Sequence, residues 1–158
     1  MEQATAHPAT HGADLNRLAT SATFHCLTGC AIGEFSGMAI GTAAGWGNLE
    51  TTALAIALAY FFGFGLTAMP LIRAGLAAGV IVSTALASDT VSITIMEAID
   101  NLVIILIPGA MDAGLGDVLF YSSIAAGFAI AFPFAWWANR HLIARGKGHA
   151  VVHKYHGH

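Results

Sequence analysis

The chain has 158 residues, 56% hydrophobic and 9% charged, with a formal net charge of −3. A soluble domain carries about 25% charged residues, so this composition, with a mean hydropathy of +0.70, describes an integral membrane protein, one domain in extent by length, and excludes a basic nucleic-acid-binding surface.

Residues 1–20, MEQATAHPATHGADLNRLAT, are polar and contain Pro8 and Gly12. They lack the apolar core of a signal peptide. The expectation is a mostly disordered tail over 1–20, a membrane bundle over 21–140 and a His-rich cytoplasmic tail over 141–158.

The first apolar segment runs from about Ala22 to Trp46. Gly29, Gly33, Gly37, Gly41 and Gly45 recur in it at every fourth residue. Glycine costs about 1 kcal/mol against alanine in a helix in water. In lipid the backbone bonds close within the helix, and small residues let two helices approach. The stripe therefore predicts a packing seam, either inside the bundle or between two copies of a homodimer.

Cys26, Cys30, Glu34 and Met38 are successive i, i+4 positions and form a second stripe on that helix, with His25 heading the glycine stripe. The two cysteines suit a common partner or ion better than a disulfide. Thiolate, imidazole and thioether donors suit copper(I) or zinc, and carboxylate broadens the choice. A glutamate in a membrane helix costs about 2.5–3.5 kcal/mol or more and marks a functional site by default. The plainer reading is a small buried cysteine and a gap-filling methionine.

GWGNLE turns the chain into a second apolar segment, about Thr51 to Leu71, with Pro70 and Arg73 at its end. The third, about Ala74 to Ile107, is long. At about 1.5 Å per residue it reaches about 50 Å, beyond a hydrocarbon core of about 30 Å. Either it is one tilted helix, or it breaks near Ser88 and Asp89. PGAM stops it, and MDAGLGD leads to a fourth segment, about Val118 to Ala138, ending at the interfacial pair Trp136 and Trp137. Small residues recur at four-residue spacing in the third segment (Gly75, Gly79, Ser83, Ala87) and the fourth (Gly127, Ala131, Ala135).

Asp89, Glu97, Asp100 and Asn101 share one face of a helix, with Ile93 between them. Acids in an apolar segment face the bundle, a water-filled path or a cation. An interfacial position for Asp89 is the plain alternative. Asn101 would orient a carboxylate or coordinate through its amide oxygen. Ser92 and Thr94 are expected to bond their own backbone.

With four crossings and both termini on one side, Arg17, Arg73, Arg140, Arg145, Lys147 and Lys154 gather there, and Glu50, Asp112 and Asp117 fall opposite. That pattern satisfies the positive-inside rule with cytoplasmic termini. Five crossings would split the basic residues. In the tail, His149, His153 and His156 have helical spacing, and His7 and His11 are four apart. Such tracts are candidate metal-loading sites.

HCLTGCAIGEFSGMAIGTAAGW, DTVSITIMEAIDN, PGAMDAGL and NRHLIARGKGHAVVHKYH resemble the motif blocks of a prokaryotic family of small polytopic membrane proteins, a domain of unknown function. The resemblance covers about residues 22–156. It implies a cell (inner) membrane location and makes the polar motifs features of a family. It supplies no activity. Such proteins resemble components of copper-handling systems.

The expected fold is an all-α polytopic membrane helix bundle of about four helices with a long or broken third helix. The expected function is non-enzymatic: binding, and transport, of a transition-metal cation, copper first and zinc second. The candidate ligands are His25, Cys26, Cys30, Glu34, Met38, Asp89, Glu97, Asp100 and Asn101. The partners are the lipid bilayer, a second copy and a metal chaperone, with no nucleic acid. The rivals are a membrane redox or haem-associated protein, a proton-coupled carrier of a small solute, and an assembly subunit packed through the glycine stripe.

Overall fold

The computed structural model describes residues 12–73, 75 and 77–145. Four long helices make up nearly all of this: α1 Gly12–Ala44, α2 Asn48–Arg73, α3 Ala78–Leu106 and α4 Val118–Ala144. A short 3-10 turn, Ala110–Asp112, lies between α3 and α4. No strand occurs among the described residues. α2 over Asn48–Met69 and α4 over Val118–Ala144 are long and apolar enough to cross a membrane.

α1 packs most extensively on α2, and α3 on α4; α1 also touches α4, and α2 touches α3. α1 and α3 meet across the centre. Helix order places Arg17, Arg73, Arg140 and Arg145 at one end, and Glu50, Asp112 and Asp117 at the other.

The glycine seam is internal. A Cβ on Gly29 would lie 2.7 Å from the Gly63 Cα, and one on Gly37 would lie 2.7 Å from the Ala55 Cβ. Cβ atoms on Gly33 and Gly41 would collide with the Ala59 backbone and the Thr51 side chain. The seam thus joins α1 to α2 within one chain, where small residues on both helices permit the close approach. Gly45 does not belong to it. A Cβ there would meet open space, and its φ is +67°. Gly45 N–H donates to Thr42 O and Trp46 N–H to Gly41 O, at 3.2 and 2.9 Å. That double closure ends a helix and needs a left-handed residue just past it. Gly75 likewise follows the end of α2 at φ +72°, and a Cβ on either Gly75 or Gly79 would meet open space.

One boundary differs from the sequence expectation. α1 begins at Gly12, ten residues before Ala22. Leu15, Ala19 and Ala22 pack with Ile143, flanked by Leu18 and Trp136, so this turn of α1 docks on the end of α4. Arg140 Nε donates to Asn16 Oδ1 at 2.7 Å and Trp136 Nε1 to Thr20 Oγ1 at 3.0 Å, pinning the same junction. Of the two alternatives for the third segment, the unbroken one holds: α3 runs as one helix through Ser88 and Asp89.

Candidate functional site

Every fourth residue of the central part of α1 faces α3 and α4. Cys26, Cys30 and Glu34 are buried at 1%, 0% and 5% exposure. On α3 the 3.6-residue period turns Asp89, Ser92, Ile93, Met96, Glu97 and Asp100 inward, and all are buried. The two stripes meet. Glu34 lies beside Asp100, and Cys30 beside Glu97. Nearer the Arg-bearing end, Cys26 lies beside Asp89, Ser92 and Asn139.

The three acids Glu34, Glu97 and Asp100 gather where, among the described residues, no cationic side chain is buried. Both carboxylate oxygens of Glu97, both of Asp100 and Oε2 of Glu34 lack a well-formed hydrogen bond among the described residues; the Cys30 thiol and the Asn101 amide lie beside the Glu97 carboxylate, and Glu34 and Asp100 lie against each other. Carboxylates this close in a low-dielectric interior cannot all hold their charge unaided; a proton or a cation must offset it.

A cavity of about 390 Å³ leads to them. Glu34 and Glu97 line its buried part with Met38 and Phe120, and Trp46 and Asp112 line it at the loops. Asn48 Nδ2 donates to Asp112 Oδ1 at 3.1 Å and ties the start of α2 to the 3-10 turn beside it. The cavity therefore lies at the acidic end of the bundle.

With this geometry in place, comparison with known proteins gives one match. A family model described as a domain of unknown function, DUF4396, fits residues 16–148. The chain belongs to the DUF4396 family. No curated protein and no solved structure matches it.

Within this DUF4396 chain the residues singled out from sequence divide into groups. Cys30, Glu34, Glu97 and Asp100 come together. Cys26 and Asp89 form a separate level with Ser92 and Asn139. Met38 is half-buried and lines the cavity. His25 stands apart from the acids: it is half-buried and hydrogen-bonds with the Leu66 backbone of α2. Asn101 also lines the cavity; its amide nitrogen donates to the Glu97 backbone carbonyl at 2.8 Å and lies beside the Glu97 carboxylate. Among the described residues, no group of three or more His, Cys, Asp and Glu side chains is disposed to hold a metal ion. His7, His11, His149, His153 and His156 lie outside the described residues.

A buried polar chain complements the acids. Ser92 Oγ donates to Asn139 Oδ1; Asn139 Nδ2 donates to Thr23 Oγ1 at 3.0 Å; Thr23 Oγ1 donates to Ala19 O at 2.8 Å. Ser92 thus bonds α4, not its own backbone as expected. Thr94 does bond its own helix, at Thr90 O, and also meets Tyr60 Oη. Asn139 is not obvious beside Trp136 and Trp137. Its signal is that it continues the Gly127, Ala131, Ala135 stripe by one further step of four.

Proposed function

We propose that this protein is a four-crossing membrane protein that binds a cation at Glu34, Glu97 and Asp100 and exchanges it with protons. The carrying observation is the set of buried carboxylates, crowded together with no cationic side chain beside them among the described residues and with oxygens that lack well-formed hydrogen bonds, at and beside the floor of a cavity. A buried group of this kind is expensive unless something compensates it, and the cavity gives the compensating ion a route.

All four helices expose large apolar side chains outward, including Phe24 and Ile40 on α1, Phe61 on α2, Val91 and Ile105 on α3, and Phe134 on α4. That supports four crossings. The Arg residues at one end support cytoplasmic termini in a prokaryotic cell membrane, with the cavity opening to the other side.

Transition-metal transport is the narrower form of the proposal. The donors reached from the cavity are carboxylates, an amide and the Met38 thioether, with Cys30 behind Glu97. Oxygen donors favour zinc over copper(I), which reverses the order suggested by the cysteines alone. Since no ready-made ligand set is present among the described residues, binding a metal requires side chains to move. A metal chaperone would be needed only for copper. The internal seam leaves a homodimer without its sequence argument.

Titration of purified protein with zinc and copper(I) tests the proposal. Zinc is expected to bind, more weakly as pH falls because ligand carboxylates must lose their protons. Glu97→Gln is expected to weaken binding at least tenfold and Cys30→Ser to weaken it less. Binding that survives Glu97→Gln but not Cys30→Ser would replace the carboxylate site with a thiolate one.

A further inference from the structure

The cavity is far larger than a bare ion needs. It offers about 390 Å³, whereas a single water needs only about 10–15 Å³ of such space. Pockets for organic ligands begin at about 300 Å³ and combine a mostly apolar wall with a few placed polar groups. This one has that character. Met38, Ile56, Ile124 and Phe120 supply apolar wall, and Trp46 an aromatic face near the loops. Glu97 lines it at 5% exposure, with neither carboxylate oxygen in a well-formed hydrogen bond and no cationic side chain beside it among the described residues.

From this we infer that the cavity is a binding site for a small organic ammonium compound. The inference rests on the cation-binding reading above and names its substrate class. The ammonium group would sit at Glu97 and Glu34, giving the carboxylates N–H donors together with the positive charge that offsets them. The organic body would fill the space between Phe120, Met38 and Ile124, and aromatic faces attract cationic groups. An inorganic cation satisfies the acids but leaves this apolar volume unused. An uncharged compound of the same shape fills the volume but leaves the acids uncompensated. Only a molecule with both parts uses the whole site.

Calorimetric titration of the purified protein with benzylammonium and its uncharged counterpart benzyl alcohol decides the matter. Benzylammonium is expected to bind at least tenfold more tightly than benzyl alcohol and to displace zinc from the wild-type protein. Thr52→Phe narrows the cavity without altering an acid. It is expected to weaken benzylammonium binding at least tenfold while zinc binding persists. Equal affinities for the two compounds would overturn the inference. So would the absence of benzylammonium binding in protein that still binds zinc, and that outcome would leave the cation-binding reading standing. Loss of both zinc and benzylammonium binding in folded wild-type protein would remove the two together. The zinc displacement needs no variant, so it holds whether or not Thr52→Phe folds.

Discussion

Asp100 of α3 packs directly onto Gly127 of α4: a Cβ at position 127 would overlap the Asp100 carboxylate. The glycine is a cradle for the acid, and the close approach of the two helices depends on it. Gly127→Ala is therefore expected to displace Asp100 and to destabilise the bundle by about 1–3 kcal/mol, the usual cost of overpacking. Gly65→Ala is the control, because a Cβ there meets nothing within 4 Å. Thermal unfolding in detergent should show a lower midpoint for the first variant and no loss for the second. Equal midpoints would mean that α3 and α4 have room to spare.

The α1–α2 seam makes a separate prediction. Gly37 faces the Ala55 backbone, whereas Ala57 on the same helix as Ala55 points outward. Gly37→Leu should force the helices apart and sacrifice dispersion contacts along the whole seam. Ala57→Leu should be tolerated. Comparing the folded yields of the two variants in detergent checks this, and similar yields would count against a tightly packed seam.

Much of this arrangement is legible in the sequence, and the exceptions have physical causes. Gly29 to Gly41 announce a seam because glycine at four-residue spacing has few other uses in a membrane helix. The partner helix is not legible, since Ala55, Ala59 and Gly63 are ordinary small residues until α2 is laid against α1. The inward face of α3 follows from periodicity alone. The start of α1 does not: Asn16 and Arg17 lend residues 12–20 a polar composition that hides the Leu15, Leu18, Ala19 and Ala22 face. His25 shows the limit for the site. Adjacent to Cys26 in sequence, it is turned by about 100° on the helix and faces α2 rather than the acids. Which acids meet which cysteines is a long-range matter that only the packed bundle decides.

The Thr23–Asn139–Ser92 chain should behave as one unit. Asn139→Ala removes the partner of the Ser92 hydroxyl and the donor to Thr23. Leaving a buried hydroxyl unsatisfied costs about 1–3 kcal/mol. Ser92→Ala should cost less, and the double variant less than the two singles added, because the groups share a network. Denaturation of the four proteins in mixed micelles checks this; strict additivity would show the contacts to be independent.

The orientation can be tested on intact cells. The described arginines, Arg17, Arg73, Arg140 and Arg145, lie at one end of the bundle. A reporter active only outside the cytoplasm should be silent when fused at the C-terminus and active when inserted between Asp112 and Asp117. The reverse pattern would turn the cavity toward the cytoplasm.

The central claim is that Glu34, Glu97 and Asp100 hold exchangeable protons in place of a cation. Proton release on cation binding measures this most directly. Purified protein in weakly buffered detergent solution is titrated with zinc while pH and bound metal are followed together. Release of protons is expected with each ion bound by the wild-type protein. Little binding and little release are expected from a folded variant carrying Glu34→Gln, Glu97→Gln and Asp100→Asn. Undiminished zinc binding with the same proton release from that variant would contradict the account.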